Sequence, residues 1–178
     1  MTKNTTISVN RRIDIISAAI EVFAEIGYYR ATTAKVAERA QISQPYIFRF
    51  FPTKEALLLE ALEVSWTRIL DAFRSVIHTV SSDQLEKELI EAYVQIMKSY
   101  QNETLLQMQA QTIKEDAIVE VMQKGYRNVQ QLVVDAFKQA GIEKPYERTI
   151  IFLARGMLCN ISMALHLPEL MSNELEEI

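Results

Sequence analysis

The chain has 178 residues, a formal net charge of −4 and 49% hydrophobic residues, with only four glycines and four prolines. That length fits one domain, or a small domain fused to a larger one, and buries roughly 70% of the unfolded surface without staples. The single Cys159 excludes an internal disulfide or a cysteine metal cluster; His78 and His166 lack metal-ligand spacing, and no phosphate loop, nucleophile elbow or paired-carboxylate site stands out.

Few breakers and few alternating runs predict an all-α protein. An enzyme is not expected, and no catalytic residue, metal or cofactor is assigned. Met1 to about Ser8 is expected to be a disordered arm, and Met1 to Asn10 is polar with no apolar core, so no signal peptide is expected. The first helix is predicted near Val9 to Glu25, burying Ile13, Ile16, Ile20 and Phe23 as one stripe. Gly27 ends it in a left-handed cap. Of Tyr28 and Tyr29, one packs under the next unit and one reaches outward.

Thr32 or Thr33 caps a first short helix with Val36, Ala37 and Ala40 on one face. Gln41-Ile42-Ser43 is a tight turn, with Ile42 plugging the corner and the Ser43 hydroxyl capping a second short helix. Pro45 sits in that helix's first turn, where a missing N–H costs little. Ile47, Phe50 and Phe51 face inward, whereas Gln44, Tyr46 and Arg49 are left outward. Pro52 stops the helix and Thr53 caps the next, ahead of Lys54. Two short helices with a tight turn make a helix-turn-helix, or else a plain α-hairpin with a solvated face.

The outward chemistry suits duplex DNA. Gln44 donates and accepts at a base edge, Arg49 bridges to guanine or phosphate, and Tyr46 offers a ring and a hydroxyl. Lys54 and the helix starts at Thr32 and Thr53 suit phosphates. Thr32, Thr33, Ser43, Gln44, Pro45, Tyr46, Arg49 and Lys54 are the candidate contacts. Charge agrees with this: residues 1–54 hold eight Lys/Arg against four Asp/Glu, and residues 55–178 hold eleven against nineteen. A basic head, 1–54, on an acidic body, 55–178, is the expected division.

From Lys54 an uninterrupted helix is predicted to about Val80, with Leu58, Leu62, Trp66, Ile69, Phe73 and Val76 inside. Ser81 and Gln84 fit a capping box before a helix at about Asp83 to Gln101. Asn102 breaks the chain, Thr104 to Ile113 forms a shorter helix, and about Lys114 to Ala140 a long one that Gly125 kinks and Gly141 caps. Pro145 opens the last long helix and Pro168 closes it. The tail, Glu169 to Ile178, is acidic and adds at most a short turn. Ile150 to Leu167, the most apolar stretch, is interrupted by Arg155, Asn160 and Ser162 and reads as too short for a bilayer, so a soluble, cytoplasmic protein with no membrane contact is expected. Cys159 reads as an inert buried thiol rather than a redox switch.

The last long helix has a thin polar stripe, Arg148, Arg155 and Ser162, and is apolar almost everywhere else. One chain covers one side; a second copy is the natural cover for the rest. Phe137, Ile150, Leu153, Gly156, Met157, Ile161 and Ala164 are the candidate dimer contacts, in a four-helix bundle across a two-fold axis. A core helix in a monomer is the alternative.

The segment from about Arg11 to Leu58 resembles the DNA-binding domain of the TetR family of bacterial repressors. The resemblance is carried by Phe23-Ala24, Gly27-Tyr28, Ala31-Thr32-Thr33, Val36-Ala37 and Ala40-Gln41-Ile42-Ser43. It continues through Tyr46-Ile47-Phe48-Arg49-Phe50-Phe51 and Lys54-Glu55-Ala56-Leu57. Where Gln41 stands the family usually has Gly, often Gly at Pro45, and usually Tyr at Phe48, whose ring lacks the phosphate-bonding hydroxyl. The resemblance implies an N-terminal three-helix domain, a helical ligand-binding and dimerisation bundle, a palindromic double-stranded operator and a homodimer. It also implies repression relieved by a small-molecule effector, expected to be largely apolar because Met and aromatic groups suit flexible apolar ligands. Trp66, Tyr93, Met97, Tyr100, Met108, Met122 and Tyr126 are candidate pocket residues, each equally at home in a core, and Gln107, Gln109 and Gln111 could add polar contacts. A helical protein-interaction adaptor without ligand control is the competing function.

Overall fold

The computed structural model describes residues 3–171, with side chains described from Asn10 onward. The described residues form eight α-helices: α1 (Lys3–Ile26), α2 (Thr33–Arg39), α3 (Gln44–Ile47), α4 (Lys54–Thr79), α5 (Leu85–Ser99), α6 (Gln101–Ala110), α7 (Asp116–Gln139) and α8 (Pro145–Leu165). A 3-10 turn, Pro168–Leu170, follows, and no strand occurs among the described residues. The all-helical expectation holds, with a three-helix head followed by a helical body.

The order of packing follows from α4. Its inner face is the expected one, with Leu58, Leu62, Trp66, Ile69 and Phe73 buried and Val76 only partly so. Thr53 caps it by accepting from the Ala56 N–H at 2.9 Å. The first turns of α4 close the head against α1, and the rest packs on α5 and α7.

Several predicted boundaries move. The first helix starts at Lys3 rather than Val9, because the polar stretch before Val9 holds no Pro or Gly to stop it. Met1 and Thr2, and the tail from Ser172, lie outside the described residues. Ile13, expected in the buried stripe, is 55% exposed; the buried arc runs instead through Ile15, Ile16, Ala19, Val22 and Phe23. The Ser81–Gln84 capping box does not form: Gln84 itself precedes α5 and makes no side-chain cap. Its amide bonds Asp83 at 3.1 Å, and Ser81 also bonds that carboxylate, which the two hydrogen bonds hold below the usual range. The break between α5 and α6 falls at Tyr100, not Asn102, so α6 starts at Gln101 and ends at Ala110.

Gly125 does not interrupt α7, which runs unbroken through it. Its role is close approach. A Cβ there would fall 2.2 Å from Trp66 Cε2 and 2.4 Å from Nε1, so only glycine lets the indole lie on the α7 backbone. Tyr126 meets the same indole edge-on at 4.9 Å. Below it, Phe73, Phe137 and Phe152 stack edge-to-face, Phe152 lying 5.6 Å from Phe73 and 6.3 Å from Phe137.

Polar ties cross this core where backbone or side-chain groups would otherwise be stranded. Gln107 of α6 donates to Ser65 of α4 at 2.9 Å. Gln109 donates to the Ala24 carbonyl of α1 at 2.8 Å, and Arg68 pairs with Glu103 at 3.1 Å. Arg148 of α8 is bonded to Glu86 of α5.

α8 is capped at both ends by left-handed residues, Lys144 (φ +51) and His166 (φ +54), so it ends just before the expected Leu167. By length and composition it is apolar enough to cross a bilayer, with a mean hydropathy of 1.3, which revises the sequence-based view that it is too short. It nevertheless packs on α7 and α5, burying Thr149, Phe152, Cys159, Asn160 and Ser162.

Substituting Gly125 tests the close approach. At an exposed helix position Gly→Ala gains up to about 1 kcal/mol. Here overlap with three indole atoms dominates, and Gly125→Ala is expected to lower stability by about 1–3 kcal/mol in urea denaturation; a gain would disprove the contact.

Candidate nucleic-acid interface and inner cavity

The head is built around Phe23, Val36, Ala37, Ile47 and Phe51, all buried. Thr32 is the residue that caps α2, its hydroxyl accepting from the Lys35 N–H at 3.3 Å. The turn closes by Ile42 N–H donating to Ala37 O at 3.0 Å, with Ile42 half-buried at the corner. Gln41 carries the turn at φ +54, a left-handed conformation that costs a non-glycine residue roughly 1–2 kcal/mol. Ser43 precedes α3, but its hydroxyl makes no capping bond, contrary to the sequence expectation.

The candidate contacts divide by what they already hold. Thr33 is buried and accepts from the Gln44 amide at 2.8 Å. That bond fixes α3 on α2 and leaves the Gln44 carbonyl oxygen for other partners. Tyr46 packs edge-on against Phe50 at 5.4 Å, and the Arg49 guanidinium lies 5.2 Å over its ring. Phe48 is 48% exposed on this face, as are Ser43 and Pro45. Lys54, expected at a phosphate, is turned inward. Its ammonium donates to the carbonyls of Tyr28 (2.7 Å) and Ala31 (3.0 Å) and sits 4.3 Å over the Tyr28 ring. The Tyr29 hydroxyl donates to Glu115 of the body at 3.2 Å.

Charge pairing sorts the cations of the head. Arg39 is held by Glu21 (2.8 Å) and Glu25 (2.6 Å), Arg12 by Glu60 (2.7 Å), and Arg11 by Asp14 (3.5 Å). Arg30, Lys35 and Arg49 are exposed and carry no ion pair among the described residues. Arg30 and Lys35 flank the α2 cap and were missed from the sequence. Their adjacency to Thr32 was the available signal, since a helix start with free cations beside it attracts anions.

The body holds a cavity of about 50 Å³ between α4, α5, α6, α7 and α8. Trp66, Tyr93 and Tyr126, expected together, do line it, as does Gln107, expected as a polar contact; Phe73, Phe152 and Asn160 join them unforeseen, because their helical spacing reads as ordinary core. Met97, Tyr100, Met108 and Met122 are elsewhere. Tyr100 lies under the Arg68 guanidinium at 4.1 Å, and Met122 is buried on the far side by Ala110 and Ile113. Gln111 reaches the edge by donating to the Tyr126 hydroxyl at 2.9 Å. The Tyr93 hydroxyl donates to Asn160 Oδ1 at 2.8 Å, and burial pushes its pKa up to about 12, so it stays a neutral donor. Among the described residues no group of three His, Cys, Asp or Glu side chains could hold a metal.

The outer face of α8 is bare. Tyr146, Ile150, Ile151, Met157, Ile161 and Leu165 are each more than 40% exposed. Leu153 and Ala164 are half-buried beside them. Phe137 of α7 and Gly156 of α8, expected in the subunit contact, look inward: Phe137 is fully buried against Phe152, and a Cβ on Gly156 would lie 3.4 Å from the Tyr93 ring.

Residues 15–61 match the family described as bacterial regulatory proteins, tetR family. The transcriptional activator FasR of Mycolicibacterium smegmatis is 30% identical over 84 residues, covering 47% of this chain and 38% of that protein. The regulator BetI of Escherichia coli is 30% identical over 79 residues, covering 44% and 40%. The chain thus spans about two fifths of the curated relatives it matches. In fold it is similar to the fatty acid degradation regulator FadR of Bacillus halodurans, with TM-score 0.75, 20% identity, and 88% and 85% of the two chains covered. A regulator from Saccharomonospora viridis in complex with choline gives TM-score 0.75 at 18% identity, covering 93% and 97%.

Relief of the turn strain is directly measurable. Gln41→Gly removes the left-handed penalty but frees the unfolded chain, so a net gain of about 0.5–1 kcal/mol is expected by thermal denaturation. A loss would mean that the Gln41 side chain stabilises the turn by more than its backbone costs.

Proposed function

We propose that the chain is a TetR-type regulator, a cytoplasmic homodimeric repressor controlled by a small molecule; the match of residues 15–61 to the bacterial regulatory proteins of the tetR family supports this reading. The observation that carries this reading is the head's outer face. There the Gln44 carbonyl oxygen and the Tyr46 ring stand on α3 with the unpaired Arg49 in the turn just past its end, and free Arg30 and Lys35 lie at the α2 start. Base edges in a major groove require donors and acceptors on a rigid short helix, and phosphates require unneutralised cations on either side. The head, residues 1–54, reads one half-site; the body, residues 55–178, pairs the subunits and holds the ligand.

Dimerisation is supported by the bare apolar face of α8. A row of large hydrophobic side chains exposed along one helix favours burial against a second copy. Two heads then read half-sites about 34–36 Å apart, one turn of duplex. The cavity beneath α4, and a fold neighbour solved with choline, support a small effector in the body. Ligand occupancy favours a position of α4 that sets the heads off this spacing.

Two measurements test the reading. In gel shifts with DNA from upstream of its own gene, Arg49→Ala and Tyr46→Ala are each expected to weaken binding about tenfold, and Arg49→Ala to reduce the salt slope by about one. Wild-type affinity in both variants would remove α3 from the interface. In light scattering, the double variant Ile150→Glu, Ile161→Glu is expected to be a folded monomer with DNA affinity reduced at least about tenfold, because one head makes half the contacts. A dimeric double variant would place the interface elsewhere.

A further inference from the structure

Building on the body as an effector site, the lining narrows the ligand to a chemical class. The walls are aromatic: Trp66, Phe73, Tyr93, Tyr126 and Phe152. Faces and edges of this kind suit a flat, apolar molecule. Most polar groups around them already hold partners. The Tyr93 hydroxyl bonds Asn160, Gln107 bonds Ser65, and the Tyr126 hydroxyl accepts from Gln111. The Trp66 indole N–H is the exception, buried and without a partner. A buried donor left unmade carries a desolvation cost that an incoming acceptor would recover.

Charge weighs against an ionic ligand. No carboxylate lines the cavity, so a cation would rest on cation–π contact with the walls alone, and the one charge at its rim is the exposed guanidinium of Arg155. An anion would be held outside, on that rim, where water screens the pair.

We infer that the cavity takes a small, uncharged, planar molecule whose single hydrogen-bond acceptor is received by the indole N–H of Trp66. The present volume, about 50 Å³, is well below the roughly 150 Å³ of an engineered cavity that holds benzene, so binding enlarges it. The indole is wedged on Gly125, where a Cβ would come within 2.4 Å of Nε1. The acceptor therefore meets the N–H as the ring swings off α7.

The chain has one tryptophan, and hence one indole N–H resonance. Acetophenone and α-methylstyrene share size and shape and differ in a carbonyl against a methylene. Benzoate and phenyltrimethylammonium add a negative and a positive charge. Acetophenone is expected to shift the indole proton downfield and, by calorimetry, to bind about tenfold more tightly than the other three. Trp66→Phe keeps an aromatic wall and removes the donor; it is expected to bring acetophenone to within about threefold of α-methylstyrene. Equal binding of those two to the wild type, tighter binding of either charged probe, or no indole shift with any probe at millimolar concentration would overturn the assignment. If Trp66→Phe fails to fold, as judged by circular dichroism, the wild-type comparison decides alone. No DNA enters this experiment, so its failure leaves the DNA-binding reading standing and subject to its own gel shifts.

Discussion

Two contacts on one helix govern the rest of this structure. At its first residue, α4 is clamped to the head by the Lys54 ammonium, which reaches the carbonyls of Tyr28 and Ala31. Twelve residues on, about 18 Å at helical rise, Trp66 lies on Gly125 of α7. Between them α4 has no glycine or proline, and Leu57, Leu58, Ala61 and Leu62 are fully buried. A helix so packed transmits displacement instead of absorbing it, because close-packed interiors are stiff. Head and body are therefore joined by a strut rather than a tether. A second tie runs in parallel, from Gln109 of α6 to the Ala24 carbonyl of α1.

The Lys54 clamp also reorders the electrostatics of the head. A lysine facing two backbone carbonyls and an aromatic ring is structural, and Arg39, locked between Glu21 and Glu25, is equally withdrawn from outside partners. The nominal charge of residues 1–54 thus overstates what a polyanion would meet. Among the described residues, Arg30, Lys35 and Arg49 stay free, the first two about the α2 start and Arg49 just past α3. Three well-placed cations beside backbone N–H groups suit register-fixing phosphate contacts better than a diffuse positive field, which would bind any duplex.

The sequence made the head legible because its signals are local. Thr32 and Thr53 cap where hydroxyls precede helical runs, Gly27 takes positive φ at the end of α1, and Val36, Ile47 and Phe51 fall at core spacing. Misreadings arose where the deciding contact was distant in the chain. Nothing around Lys54 announces that Tyr28 and Ala31 will present their carbonyls to it. Nothing around Gly125 distinguishes a kink from a seat for Trp66, fifty-nine positions away. The cavity was half legible for the same reason. Aromatics on α4, α5 and α7 stood out as a cluster, whereas Phe152 and Asn160 of α8 were assigned to no site, and helical periodicity alone cannot separate the inward from the outward side of a helix that is apolar nearly all round.

That ambiguity of α8 reflects a double burden. Its inner side supplies Phe152, Cys159 and Asn160 to the core and cavity, and its outer side exposes Ile150, Met157 and Ile161. In the proposed dimer the same helix is thus both a wall of the ligand site and a surface of the subunit contact. Among the walls that a ligand enlarging the cavity would press on, α4 leads to the head and α8 is the one a partner would brace. Bracing one wall directs displacement into the others. A nearly complete switch between two positions of α4 needs a ligand preference of about 5.5 kcal/mol, and a recovered indole hydrogen bond accounts for about 0.5–1.5 of this. The remainder must come from apolar area buried as the aromatic walls close on the ligand, at about 25 cal/mol per Å². On that arithmetic roughly 160–200 Å² of additional burial would suffice, an area a single ring-sized molecule can supply.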